Sequence, residues 1–368
     1  MCGITEASVV EGQCREMQKS TQRQDSQARD RQPLKEFVDG SRSDLTNLPQ
    51  RSCPPTKLPP FKERVRKALP SWLILIRRYW KAHGVFPNLV RPATFNEKIL
   101  KRILFDRRPV LTQVTDKAAV RSYVEARLGP QVLPKLYCLT TRPDTIPFDN
   151  LPDQFVVKPT HGCGWVQIVT DKSTLDRDAL IDICTHWLNQ SYYELSREWV
   201  YKGIEPQIMV QEFIDDGSGS RPTDYRLFVF DGSVELIQVD VGHLTTGRVR
   251  LYTPTWEKLA PELGGDVPQP AHLAEMISAA RTLCRNLDFV RLDFYDTAER
   301  LFFGELTTSP ECALGRFLLK GLDRHLGGRW QVPPPNAIVG QPGVASREIH
   351  PIRRWVHHAQ HLRLGRRN

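Results

Sequence analysis

Apolar positions are sparse at the start of the chain and become regular after about sixty residues. Residues 1–59 are rich in Gln, Arg, Asp, Ser and Pro; such a segment cannot bury enough surface to offset its ordering entropy, and disorder is expected there. From Phe61 onward, Val65, Ala68, Trp72, Leu75, Ile76 and Tyr79 approximate helical spacing, interrupted at Pro70. Thr94 stands where a cap is expected for a helix starting at Phe95. Residues 60–114 therefore read as a helical N-terminal module. A further helix is expected over 117–128, with Lys117 in its first turn and Gly129-Pro130 as the stop, followed by a strand near 132–138. The strand ending at Lys158 and the run 166–169 flank a glycine-containing loop and predict a β-hairpin. An amphipathic helix is expected over 180–193, then an apolar strand over 208–214 and a loop over 215–222.

Beyond residue 222 the pattern is strand-rich. Two alternating runs, 225–230 and 234–239, flank Asp231-Gly232, a strong hairpin signal. A helix near 271–287 leads to two more strands, 290–295 and 301–306. There is no internal repeat, and the region from about Gln331 is Pro-rich and then basic. The fold class expected is α+β, with one unit over 115–214, a second over 215–330 and a basic tail over 331–368.

Charge changes this picture little. The net charge of +9 could point to an anionic partner. Six arginines against one acid lie between Arg347 and the C-terminus, however, and no aromatic–basic readout motif accompanies them. Nucleic acid is not expected as a partner. The eight cysteines show no Cys-x-x-Cys and no regular spacing, which reads as scattered reduced thiols. No apolar run is long enough to span a bilayer, and the N-terminus lacks a signal-peptide core; a cytoplasmic location is the expectation. His357, His358 and His361 read as a solvated face rather than a metal site.

Candidate chemistry is concentrated in a few positions. Lys158 ends a buried-looking strand and is followed by His161-Gly162-Cys163-Gly164-Trp165. Gly162 and Gly164 allow a backbone to approach phosphates closely, although for this loop alone a plain glycine turn beside a solvated lysine is the favoured reading. Lys117 sits where a helix dipole disfavours a cation unless an anion is bound; taken alone, it reads first as a solvated surface lysine. Glu212 ends an apolar strand, suiting either a ligand edge or water. Asp293 and Glu305 both interrupt strands that are otherwise Leu, Phe, Val and Tyr. Paired carboxylates of this kind can hold Mg²⁺; the alternative is an Arg291–Glu305 ion pair. Arg291 shares the face of Asp293 and can neutralise a phosphoryl group. Arg226, preceded by Asp224, can bind a phosphate or carboxylate in two-point fashion, or form an edge-strand ion pair.

Taken in order, these segments resemble the ATP-grasp superfamily, and within it the TupA-like proteins associated with teichuronopeptide and other surface-polysaccharide biosynthesis. The matching text includes 94–98 (Thr-Phe-Asn-Glu-Lys), 115–117, the run from Leu151 to Gly164, Arg197-Glu198-Trp199, Gln211-Glu212, Asp224-Tyr225-Arg226, Gln238-Val239-Asp240 and 303–307 (Phe-Gly-Glu-Leu-Thr). The resemblance covers roughly residues 90–315. It implies two α+β subdomains clasping a nucleotide, with a flexible loop over the phosphates. It further implies that Lys117 and Lys158 contact phosphates, that Glu212 lies at the adenine–ribose hinge, and that Asp293 and Glu305 bind magnesium while Arg291 assists transfer. Thr307 stands where many members carry the third ligand, an Asn.

The activity implied is an ATP- and Mg²⁺-dependent carboxylate–amine ligase, with a small-molecule or glycan carboxylate and an amine acceptor as substrates. A kinase acting on a sugar or small molecule, or a non-catalytic nucleotide- or glycan-binding module, are the alternatives.

Overall fold

The computed structural model describes residues 69–215, 222–241, 248–260, 265–285, 287–317 and 319–332. The expected disorder of 1–59, the histidines and basic residues of the tail, and most of the 215–222 loop lie outside the described residues.

Helix α1 (Ser71–His83) begins immediately after Pro70 and ends at Gly84, whose φ of 73° lets its N–H reach back to the Trp80 carbonyl. Helix α2 (Phe95–Phe105) is opened by a reciprocal capping box between Thr94 and Glu97. Helix α3 (Pro109–Thr115) takes Pro109 at its first position, where no N–H is needed. Helix α4 (Ala119–Leu128) ends at Gly129, as the sequence predicts. Its start differs: Lys117 lies in the turn before the helix, so the dipole argument for that lysine does not apply.

The first sheet has the order β1-β4-β2-β3 and is antiparallel throughout. Its strands are β1 (Leu136–Thr140), β2 (Phe155–Pro159), β3 (Gln167–Val169) and β4 (Ile208–Glu212). The strand expected near 132–138 begins later, because Pro130–Val132 turns as a 3-10 helix. Phe155, Val157, Ile208 and Val210 bury one face against Leu180, Cys184 and Trp187 of α5 (Arg177–Leu188). The single helix expected over 180–193 is two. Ser191 accepts a hydrogen bond from the Glu194 N–H and starts a separate α6 (Tyr192–Ser196), because a capping serine competes with helix continuation.

The second sheet, order β7-β6-β5-β8-β9, is also antiparallel. It comprises β5 (Asp224–Phe230), β6 (Ser233–Val241), β7 (Arg248–Tyr252), β8 (Phe289–Asp296) and β9 (Leu301–Thr307). Asp231 and Gly232 both take positive φ, 48° and 78°, as a two-residue hairpin requires. One face, including Leu227, Val229, Val290, Leu292 and Leu306, packs on α7 (Leu273–Leu283) and α4. The Tyr123 hydroxyl ties α4 to α7 by donating to the Leu283 carbonyl at 2.6 Å.

On the opposite face, Phe228, Phe230 and Phe289 form an aromatic cluster with Phe95 and Trp330. Helix α8 (Leu322–Arg329) has no counterpart in the sequence reading. Its Gly327 allows close crossing over the start of α2, since a Cβ there would lie 2.3 Å from the Ala93 carbonyl. Beneath it, buried Arg102 pairs with Asp288 at 2.7 Å and donates to the carbonyl of Thr308. That contact fixes the chain leaving β9, the strand that carries Glu305.

Candidate functional site

A cleft is lined by Lys117 and Arg121, by Lys158 and Gln211, and by Gly304 and Glu305 of the β9 edge. Side-chain alternation explains the β2 contribution. Phe155 and Val157 are buried under α5, so Lys158 points to the other side. Gln211 stands opposite Val156 in the β2–β4 register and shares that side. Lys117 is carried by the turn between α3 and α4. Its ammonium donates to the Gly162 carbonyl, joining the first cation to the glycine loop.

Among the described residues, neither the Lys158 ammonium nor the Glu305 carboxylate has a hydrogen-bond or ion-pair partner. Burial pushes the Lys158 pKa down to about 8; Lys117 and Arg121 add to this, while Glu305 opposes it. Burial also works against the Glu305 carboxylate, but Lys117, Arg291, Lys158 and Arg226 outweigh it and hold that group below the usual carboxylate range. The cleft thus sets three cations, Lys117, Arg121 and Lys158, against one half-buried acid, Glu305.

Glu305 reaches this position through a β-bulge. Phe303 pairs with Phe294 in the core, whereas Glu305 pairs with Asp293, with Gly304 as the extra residue. The bulge turns Glu305 to the face opposite Phe303. Glycine is needed there, because a Cβ would lie 2.9 Å from the Asp293 carbonyl. Asp293 and Glu305 are therefore direct cross-strand neighbours, and Arg226 is the partner of Asp293 on the other side.

The two arginines are committed within this row. Arg291 donates to both oxygens of Asp293, at 2.8 and 2.7 Å, and to the Thr307 hydroxyl at 3.2 Å. The anticipated Arg291–Glu305 pairing is not the one formed; position i+2 on the same strand holds the guanidinium more closely. Arg226 bridges Asp240 at 2.6 Å and Asp224 at 3.2 Å, with Asp293 at 3.7 Å. Burial raises the Asp293 carboxyl, against the pull of Arg291 and Arg226.

The remaining sequence candidates fall in several places. His161 is buried beside the loop, its Nε2 facing the carbonyls of Trp187 and Gln190 at 3.1 Å each, so it anchors the loop to α5. Gly164 has φ of 75°, and a Cβ on Gly162 would lie 2.5 Å from the Trp165 ring. Trp165 in turn packs against Tyr192, and Tyr192 against Tyr201. Glu212 does not line the cleft. It accepts from the Lys135 N–H at 2.8 Å and lies 3.6 Å from Arg300, while its neighbour Gln211 faces the cleft. Asp224 belongs to the Arg226 network.

Sequence reasoning did not single out Arg121, Gln211 or Glu198 as site residues, nor Asp240. Arg121 follows Lys117 by four positions and Gln211 has the cleft-facing parity of Met209, so spacing carried a signal for both. Glu198 had none. It is buried, accepts from the Ser309 hydroxyl at 2.5 Å, and burial pushes its pKa up to about 7, against Ser309, Ser196 and Arg78 and with help from Glu305. Just beyond Ser309, the consecutive residues Glu311, Cys312 and Ala313 all take positive φ, 52°, 52° and 62°. Such backbone strain clusters where function over-determines structure.

The donor set suits a hard dication. Asp293 and Glu305 offer carboxylate oxygens from opposed strand positions, and Mg²⁺ commonly uses one or two carboxylates together with phosphate oxygens and water. No group of three or more His, Cys, Asp or Glu residues placed to hold a metal ion occurs among the described residues, and Asp224 and Asp240 are held by Arg226.

Two antiparallel sheets, each backed by helices, with a cation-and-carboxylate cleft between them, define an α+β architecture. The family model for TupA-like ATP-grasp proteins matches residues 97–331. The chain belongs to the TupA-like ATP-grasp family. Among solved structures it is similar to a D-alanine–D-alanine ligase from Bacillus anthracis complexed with ATP (18% identity, 54% of this chain and 56% of that one, TM-score 0.33). It is also similar to the ATP-grasp ligase PsnB complexed with a minimal precursor (15%, 64% and 64%, 0.34), and to a D-alanine–D-alanine ligase from Helicobacter pylori (15%, 63% and 63%, 0.37). The chain thus spans less than two-thirds of the length of each. No curated protein matches.

Proposed function

We propose that this chain is an ATP- and Mg²⁺-dependent ligase that joins a carboxylate to an amine through an acyl phosphate, in the assembly of a surface polysaccharide or teichuronopeptide-type polymer. The reading is carried by one observation: Lys117 and Lys158 line one cleft with Glu305, and among the described residues Lys158 and Glu305 have no hydrogen-bond or ion-pair partner. In this reading Lys117 and Lys158 bind phosphate oxygens, and the backbone of the Gly162–Gly164 loop closes on them. Asp293 and Glu305 would hold Mg²⁺, with the Thr307 hydroxyl nearby; the ion supplies neutralisation of phosphate charge. Arg291 orients the Asp293 carboxylate and adds positive charge beside it. Arg226 keeps Asp224 and Asp240 from repelling that pair. Positioning and charge stabilisation are what such chemistry asks of a protein.

An ADP-release screen across amino acids and uronic acids, with magnesium present, tests the proposal. Release that depends on both a carboxylate and an amine, and that is lost in Lys158→Ala and Asp293→Ala, is the expected outcome. ADP with a stable phosphorylated product and no amide would instead make the chain a kinase. Nucleotide binding without turnover would make it a binding module.

A further inference from the structure

Helix α1 has an outer face unlike that of an ordinary surface helix. Its inner face is fully used: Leu75, Ile76 and Tyr79 are buried, and Arg78 donates to the carbonyls of Ser196 and Leu195. The opposite side should then be polar. It carries Leu73 at 39% exposure and Trp80 at 44%, and the turn that follows adds Val85 at 60% and Phe86 at 59%. The Trp80 and Phe86 rings stack on one another, 5.9 Å apart and 18° from parallel, so these side chains form one patch. Of the large apolar side chains exposed among the described residues, about half lie between Leu69 and Val90.

The charge around the patch has one sign. Arg77 and Lys81 are exposed on the stripe that contains Leu73 and Trp80, at helical spacings that place all four on one side. Between Leu69 and Asn96 the chain carries Arg77, Arg78, Lys81 and Arg91 and no Asp or Glu, and Arg77, Lys81 and Arg91 are exposed. Exposed aliphatic and aromatic side chains sharing a helix stripe with cations match the two layers of a bilayer surface, where apolar groups enter the acyl boundary and cations meet anionic headgroups. A nucleic acid would use the cations but offers nothing to Leu73 or Val85. A second copy of the chain would bring the same positive patch against itself. Among the described residues no helix is long and apolar enough to cross a membrane, so contact through this face would be peripheral.

We propose that the outer face of α1 and the turn through Phe86 form a docking surface for an anionic lipid bilayer, inserting Trp80, Val85 and Phe86 while Arg77 and Lys81 contact headgroups. This surface would hold the enzyme against a membrane without touching the cleft. It is independent of the ligase reading, and either can fail alone.

The test is co-sedimentation of the full-length protein with phosphatidylcholine vesicles, with and without phosphatidylglycerol, at low and raised salt. Binding that requires phosphatidylglycerol and weakens with salt is expected. Arg77→Glu/Lys81→Glu should lower it by at least about tenfold, given the contribution of each basic residue near such a surface. Trp80→Ser/Phe86→Ser should lower it at constant phosphatidylglycerol. Both variants should keep the wild-type unfolding midpoint, since the altered side chains are exposed. Vesicle binding that survives Arg77→Glu/Lys81→Glu would belong to the basic tail and overturn the proposal, as would binding indifferent to Trp80→Ser/Phe86→Ser. A dimer dissolved by Trp80→Ser/Phe86→Ser, or a duplex DNA oligonucleotide that outcompetes the vesicles, would reassign the surface.

Discussion

Arg291 grips both carboxylate oxygens of Asp293 from two positions away on the same strand, at 2.8 and 2.7 Å. Asp293 is buried, and its other cation, Arg226, stands off at 3.7 Å. The guanidinium therefore decides whether this carboxylate can stay ionised in the sheet.

Removing it should be costly. Arg291→Met strands a buried charge and is expected to destabilise the fold by about 3–5 kcal/mol, measured by urea unfolding at neutral pH. Arg291→Met/Asp293→Asn should recover much of that loss, because no uncompensated charge remains. A single variant as stable as wild type would show that the pair is not holding the carboxylate.

Lys158 should behave in the opposite sense. Its pKa is about 8 in the folded state against an ordinary 10.5, so between those values the native state binds fewer protons than the unfolded chain. On its account stability rises with pH across that window, and the cost of the buried charge is fully present below about pH 8. Lys158→Met should therefore gain about 1–2 kcal/mol at pH 7 while losing ATP-dependent ADP release. Loss of stability on that substitution would mean the lysine has a structural partner.

The same shift predicts proton uptake. A polyphosphate beside Lys158 favours its charged form, so on nucleotide binding this lysine should take up roughly three-quarters of a proton at about pH 8.5 and almost none near pH 6.5. Calorimetry in buffers of different ionisation enthalpy reads this directly. Equal uptake at both values would place the phosphates elsewhere.

Glu198 gives a third pH signature. Burial raises its pKa to about 7, so the stability it contributes is fully present below the unfolded value near 4.5 and is lost as pH rises through 7. Glu198→Gln removes that slope. It should equal wild type near pH 5 and exceed it at pH 8 in thermal unfolding, and a wild-type slope in the variant would falsify the assignment.

Much of this organisation was legible in the order of residues. The capping box at Thr94 and Glu97, the Asp231-Gly232 hairpin and the strands carrying Asp293 and Glu305 depend on local backbone chemistry, which a short window contains. So do the loop glycines, whose torsions and close approaches glycine alone tolerates. Local patterning was less informative where two local preferences compete. Ser191 splits a helix that amphipathic spacing would continue, and Pro130 delays a strand that composition would begin earlier.

The amino-acid sequence by itself determined which side chains carry charge within otherwise apolar strands, and hence which positions were candidates for chemistry. Only the tertiary structure decided how those charges are shared. Alternation along β9 places Phe303 and Glu305 on one side; a bulge at Gly304, set by pairing with β8, turns the acid toward Asp293 and the cleft. Arg291 takes Asp293 rather than Glu305, and Gln211 rather than Glu212 faces the lysines. Periodicity describes one strand at a time, whereas the partner of a buried charge is selected by register and burial across strands distant in the chain.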